Sequence, residues 1–190
     1  MVEVTIEDVV VRILAEDAGA KSPRLAKEHE RVVLLREKRG ERLLPIWVGP
    51  PEGDALALQL GGEAMPRPMT ADLMARLLEA AGARIERVVV NSLRENTFYA
   101  TVTVAAGGEA KALDARPSDA FNLALRVGAP VFVDSGVMEK AIPAGELDEG
   151  MTALEREWLE VQGEPELPSE WRSLSPELVK SLYPDLSRPK

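Results

Sequence analysis

The stretch that most constrains this chain is Asp114-Ala115-Arg116-Pro117-Ser118-Asp119-Ala120, which runs on through Phe121 to Gly128-Ala129-Pro130. Pro117 has a fixed φ and no amide hydrogen, so it suits the opening of a helix and nothing deeper. Ser118 and Asp119 follow where side-chain oxygens accept from unpaired amides, or where negative charge meets the positive helix end. Ala120, Leu123, Ala124 and Val127 recur at i, i+3, i+4 and i+7 and predict one apolar face. Asp119, Asn122 and Arg126 fall on the opposite stripe. Gly128 is placed as a left-handed stop, and Pro130 forbids continuation. The reading is a strand end, a tight polar turn and one short helix. Two carboxylates, Asp114 and Asp119, and the Arg116 guanidinium crowd around that turn.

A chain of 190 residues is long enough for one domain with a substantial core and an appendage. It has no cysteine, which removes disulfides and thiolate metal sites. No window is apolar for long enough to span a membrane, and the N-terminus reads as an acidic strand rather than a signal peptide. A soluble cytoplasmic protein is expected. The net charge of −9 argues against a generic nucleic-acid binder, which needs a basic field to release counterions. The charge is uneven, however: from Ala141 onward 11 acidic residues stand against 5 basic ones. The preceding part is nearer neutrality and leaves room for a local basic groove.

Val2, Val4 and Ile6 alternate as a half-buried strand, and Val9, Val11 and Ile13 alternate on the other parity. That change implies a bulge or break near Glu7-Asp8. Ala18 to Glu30 reads as a loop, with His29, the only histidine, at its end. Val32 to Leu35 and Leu43 to Val48 flank a hairpin turn, and Pro45 marks its strand as an edge or a bulge. A short helix from Pro51 to Leu60 stops at Gly61-Gly62. Glu52 in its first turn is either a dipole-stabilising carboxylate or a site group. Thr70 is expected to cap the next helix, with Leu73, Met74, Leu77, Leu78 and Ala81 as its buried face. Arg67-Pro68 with Thr70 and Asp72 echoes Arg116-Pro117 with Ser118 and Asp119.

Ile85 to Leu93 is a valine-rich strand. From Thr97 the chain alternates with Phe98, Ala100, Val102 and Val104 inward, and Thr97, Tyr99, Thr101 and Thr103 outward. Tyr99 and the threonines line either a substrate surface or an ordinary solvated sheet face. Val131 to Val133 is a short strand, and Gly136 to Ala141 a brief helix opened by Asp134 or Ser135. The remainder is acidic and punctuated by prolines. Weak helices are expected at Leu147–Val161, with an apolar stripe of Leu154, Trp158 and Val161, and at Pro176–Tyr183, capped by Ser175. Together these elements predict an α+β fold with antiparallel or mixed β-sheets, about three main helices and an acidic helical C-terminal tail. The domain is expected over residues 1–141 and the tail over 142–190.

Several separate motifs, in order, resemble the bifunctional nuclease domain family. They are Leu43-Leu44-Pro45-Ile46-Trp47-Val48-Gly49-Pro50-Pro51-Glu52, Arg67-Pro68-Met69-Thr70 with Asp72-Leu73, Phe98-Tyr99-Ala100, and Asp114 to Ala120. The similarity runs from about Val2 to Ala141, and an ordered set of motifs is far more specific than any one of them. The resemblance implies cleavage of DNA and RNA, nucleic acid as the partner, and a homo-oligomer. Relatives often carry histidine between the threonine and the aspartate, where this chain has Ala71.

The sequence holds no plausible Ser-His-Asp triad, Walker loop, dinucleotide fingerprint or zinc spacing. Among hydrolytic mechanisms that leaves carboxylates. Magnesium or manganese takes oxygen ligands from one or two carboxylates plus substrate phosphate, and Glu52, Asp72, Asp114 and Asp119 are the candidate ligands. Asp114, Arg116, Asp119 and Glu52 are the candidate catalytic residues, with Arg67, Ser118, Thr70 and Tyr99 for substrate. Arg67 and Arg116 suit neutralisation of a transferring phosphate, a task for forked guanidinium donors. Two alternatives stay open. One is a non-catalytic binding or regulatory module whose turn is scaffold, with Arg116 paired to Asp114 or Asp119. The other is a small anionic ligand held at the Arg-Pro turns.

Overall fold

The computed structural model describes residues 1–14, 31–146, 151 and 169–183. The expectations for His29 and for the stripe Leu154, Trp158 and Val161 lie outside these residues. Strand β1 (Val2–Leu14) buries Val4 and Ile6, and then Val9 and Val11, in one core. The register against β2 (Arg31–Glu37) slips between Ile6 and Asp8. This bulge lets two apolar rows of opposite parity face the same layer, as the alternation predicts. β3 (Arg42–Val48) returns antiparallel to β2 and leads into α1 (Pro50–Leu60) and α2 (Thr70–Ala80). The long hairpin of β4 (Ala83–Arg94) and β5 (Thr97–Ala106) turns at Glu95 and Asn96, both at positive φ. β6 (Glu109–Ala115), α3 (Pro117–Val127), β7 (Val131–Val133), α4 (Ser135–Met138) and β8 (Ile142–Pro143) follow. β9 (Ser169–Ser173) and α5 (Pro176–Leu182) complete the described chain.

The described strands form one sheet in the order β6-β5-β4-β7-β1-β2-β3-β8, and β9 joins β1 along Val10 to Leu14. β4 and β7 run parallel, and the other pairings are antiparallel. The class is α+β with a mixed sheet. The principal core gathers Leu56 of α1, Phe121 and Ala124 of α3, and the apolar rows of β1, β2, β4 and β5. A smaller cluster of Val10, Val32, Leu34 and Met151, with Trp47 and Trp171 against it, uses residues of the other strand parity. No helix among the described residues is long and apolar enough to cross a membrane. Pro45 lies, as expected, on a strand with an open side. β8 pairs only with Arg42 and Leu43, so no described strand joins Leu44 to Val48 there.

Three expectations are corrected. In α2, Leu73, Met74 and Leu77 are 54%, 42% and 59% exposed. Ala81 is exposed as well, and of the expected face only Leu78 packs against the core, beside Ala75 and the buried Ala71. The helix is rotated because its close neighbour is α3, and small side chains permit that approach. Ala71 is therefore an inward position, and a histidine there would meet the core rather than solvent. Thr70 is not the cap: the helix begins at Thr70 behind Met69, and the Asp72 carboxylate accepts from the Met69 amide at 2.7 Å. In α3, Phe121 and Asn122 are buried with Ala120, Leu123 and Ala124, while Val127 faces solvent.

The region expected to form the tail also contributes to the core. β9 extends the sheet, and Leu174 and Val179 are fully buried in the principal cluster. Ser175 caps α5 as expected, accepting from the Leu178 amide at 3.2 Å. One buried ion pair has no counterpart in the sequence reading. Arg31 Nε donates to Asp54 Oδ1 at 2.6 Å, with side chains only 1% and 8% exposed. Gly53 makes room for it, since a Cβ there would sit 2.5 Å from the Arg31 Cβ.

Candidate active site

β6 delivers the chain to Arg116, whose extended backbone lets Pro117 open α3. Asp119 is then in the first turn of α3, and Glu52 in the first turn of α1. The two helices pack together, so their positive ends place both carboxylates on one guanidinium. Arg116 Nε donates to Asp119 Oδ2 at 2.7 Å, and its Nη2 donates to Asp119 Oδ1 at 3.0 Å and to Glu52 Oε1 at 2.8 Å. The Arg116 side chain is 66% exposed, so this fork is held by charge and not by packing. Hydrogen bonds donated to Asp119 and then to Glu52 push the Arg116 pKa up, so it is cationic at every relevant pH. Gly49 lets the Glu52 carboxylate lie against the strand end, where a Cβ would come within 2.8 Å of Oε2.

Asn122, buried on α3, sets the spacing of the two helices. Its Nδ2 donates to the Glu52 carbonyl at 2.9 Å and to the Ser118 carbonyl at 3.0 Å. Its Oδ1 accepts from Arg126 Nη1 at 3.3 Å, and Arg126 Nε donates to Asp72 Oδ1 at 2.7 Å. A chain of polar contacts thus runs from α2 through α3 to the Glu52 backbone. Burial raises the Asp72 pKa, but the Met69 amide and the Arg126 guanidinium outweigh it and hold the carboxyl below its usual value. Such a group contributes stability that is fully present above its unfolded pKa and is lost as pH falls through the lower folded one. The stability gap between the wild type and Asp72→Asn should be constant at neutral pH. It should shrink only as pH drops below the ordinary carboxylate range, as followed by denaturant titration at successive pH values.

The sequence-predicted residues therefore divide. Glu52, Arg116 and Asp119 come together, and the buried Ser118 lines a cleft with Arg116, while the two carboxylates stand outside that lining. Asp72 belongs to the Arg126 contact and lines a second, polar cavity. Asp114 is exposed on β6 opposite Thr101. Tyr99 is exposed beneath the Arg94 guanidinium, 5.4 Å from its ring centre. Arg67 and Thr70 are exposed and line neither cavity. The echo of the Arg-Pro turns holds for the third helical residue, Asp72 or Asp119, but not for the arginine. Arg67 lies three residues ahead of its helix, and Arg126 takes the place at Asp72.

The cleft at Arg116 encloses about 440 Å³. One wall is the strand from Leu44 to Gly49, the other the end of the β4–β5 hairpin, with Lys140 at the rim. Asn122 and Lys140 were not singled out in the sequence. Asn122 was placed on a polar stripe without a partner, and an isolated exposed lysine has no local signature. Among the described residues no three histidine, aspartate or glutamate side chains group to hold a metal ion. Glu52, Asp72, Asp114 and Asp119 thus do not form one cage. Glu52 and Asp119, oxygen donors flanking one guanidinium, are the pair compatible with a hard divalent ion that keeps its remaining ligands from water and phosphate.

A model of the bifunctional nuclease domain matches residues 33–144, a span that contains every one of these groups. An uncharacterized protein of Mycobacterium tuberculosis is 39% identical over 136 residues, covering 70% of this chain and 81% of its own length. Bifunctional nuclease 1 of Oryza sativa subsp. japonica and the bifunctional nuclease of Oryza minuta are each 29% identical over 109 residues. These matches cover 56% of this chain and 33% of theirs.

Proposed function

The chain belongs to the bifunctional nuclease domain family, and from that premise we propose that the Glu52–Arg116–Asp119 cluster, beside the cleft that Arg116 lines, cleaves phosphodiester bonds of DNA and RNA. The observation that carries the reading is the exposed Arg116 fork, held between two carboxylates where two helix N-termini meet at the mouth of a cleft. A guanidinium in that place is matched to two phosphate oxygens, and positive helix ends favour the same anion. Arg116 is free of packing constraints and turns from the carboxylates to the phosphate, neutralising charge that builds on the phosphoryl oxygens. A carboxylate released from Arg116 orients the attacking water and takes its proton as the new P–O bond forms; one P–O ester bond breaks, and the departing oxygen takes a proton from solvent to leave as an alcohol. Asn122 keeps α1 and α3 at the separation this exchange requires.

Glu52 and Asp119 are the residues that would hold magnesium or manganese. Such an ion, when bound, supplies charge neutralisation and a more acidic water. The test is incubation of end-labelled DNA and RNA oligonucleotides with purified protein across chromatographic fractions, with either ion or with chelator. Cleavage of both polymers that follows the protein peak is the expected result. Loss of cleavage in chelator would make a divalent ion part of the reaction, whereas persistence would leave the chemistry to Arg116 and the carboxylates alone. Absence of cleavage with every ion would overturn the proposal in favour of a binding module.

A further inference from the structure

We infer that the cleft beside Arg116 is a docking pocket for an unpaired nucleobase, so that the nucleic acid it takes is single-stranded; this rests on the phosphodiesterase reading of the Arg116 cluster. The walls and the rim differ in chemistry. Pro45, Trp47, Leu93 and Phe98 give apolar and aromatic walls, while Arg116 and Lys140 supply cations at the same cleft. A volume of about 440 Å³ lies in the range of small-molecule sites, roughly 300–1,000 Å³. In a duplex the base faces are stacked on each other and only their edges reach the grooves. A single strand presents the free face that an apolar wall rewards, with its phosphate beside the cationic rim.

Two further features favour this occupant. The side of β3 that forms one wall is open from Leu44 to Val48 among the described strands, which suggests an added peptide strand as a competing guest. Pro45 has no amide hydrogen to give such a strand, which blunts that edge. The protein also carries a net charge of −9, and a duplex binder draws most of its affinity from many phosphate contacts. A cleft with two cations fits short-range recognition of a base and one or two phosphates. The salt dependence of binding should accordingly be shallow, with a log–log slope of about −1.4 for two contacts on a single strand.

The experiment is equilibrium binding to the full chain, followed by anisotropy of a labelled thymidine 12-mer and of a hairpin duplex, in chelator at low temperature. Cleavage of both is measured separately with magnesium or manganese. The expected result is at least about tenfold tighter binding of the single strand, with the shallow salt slope. Phe98→Leu keeps an apolar side chain but removes the aromatic face. It should weaken single-strand binding by about 5- to 100-fold, the equivalent of one lost base–aromatic stack. Lys140→Gln, at an exposed position, should flatten the slope by about 0.7. Equal affinity for the two polymers, or full single-strand binding by a folded Phe98→Leu protein, would overturn the inference. Selective single-strand binding without cleavage would keep it and remove the nuclease reading. Duplex cleavage as fast as single-strand cleavage would do the reverse.

Discussion

Replacement of Arg116 by alanine should lower the rate of phosphodiester cleavage by about 10²- to 10³-fold, the usual cost of removing one donor aimed at developing charge. The loss should fall mainly on kcat, because the guanidinium is engaged by Asp119 and Glu52 at rest and turns to the phosphate as charge develops. Stability should change little: the Arg116 side chain is 66% exposed, and exposed ion pairs contribute about 0–1 kcal/mol. Arg116→Lys should rescue only part of the activity, since an ammonium restores charge but not the two-toothed fork. Steady-state kinetics on a labelled oligonucleotide separates these outcomes. A variant that raises KM alone would assign Arg116 to binding.

Asp54→Ala should produce the largest loss of stability of any single change considered, about 3–5 kcal/mol. It removes the carboxylate that faces the Arg31 guanidinium, and the Arg31 side chain is only 1% exposed. Removing the Asp54 carboxylate breaks this buried, hydrogen-bonded pair from one side, which is strongly destabilising because the guanidinium stays desolvated. Denaturant unfolding should show a lower midpoint with an unchanged slope. The pair joins β2 to α1, the helix that carries Glu52, but neither residue is part of the Arg116 cluster. Reduced cleavage in this variant should track the fraction folded, in contrast to Arg116→Ala.

Much of the sheet was legible because strand parity is a strict rule. The switch from Val4 and Ile6 to Val9 and Val11 implies a bulge, and the register slips there. Pro45 marked an open strand side for an equally local reason, its missing donor. The Arg116–Asp119 contact follows from i, i+3 spacing at a helix opening. Other features depend on which elements meet, and no local pattern carries that. The apolar stripe of α2 looked like its core face, yet α3 selects the alanine side and leaves Leu73, Met74 and Leu77 in solvent. Asn122 reads as a surface polar residue until α1 arrives to give it the Glu52 carbonyl. Glu52 itself is 64 residues from Arg116 in sequence, and only its motif in the family resemblance singled it out.

The central claim is that Glu52, Arg116 and Asp119 form a working centre and not merely a lock on the turn into α3. Paired measurement of cleavage and thermal unfolding for Asp119→Asn tests it most directly. The asparagine keeps the size of a side chain that is 42% exposed, while removing the charge that faces Arg116. The account predicts cleavage lowered by about 10²-fold or more, with an unfolding temperature close to wild type. A markedly lower unfolding temperature, with activity per folded molecule preserved, would contradict it and leave the turn as scaffold.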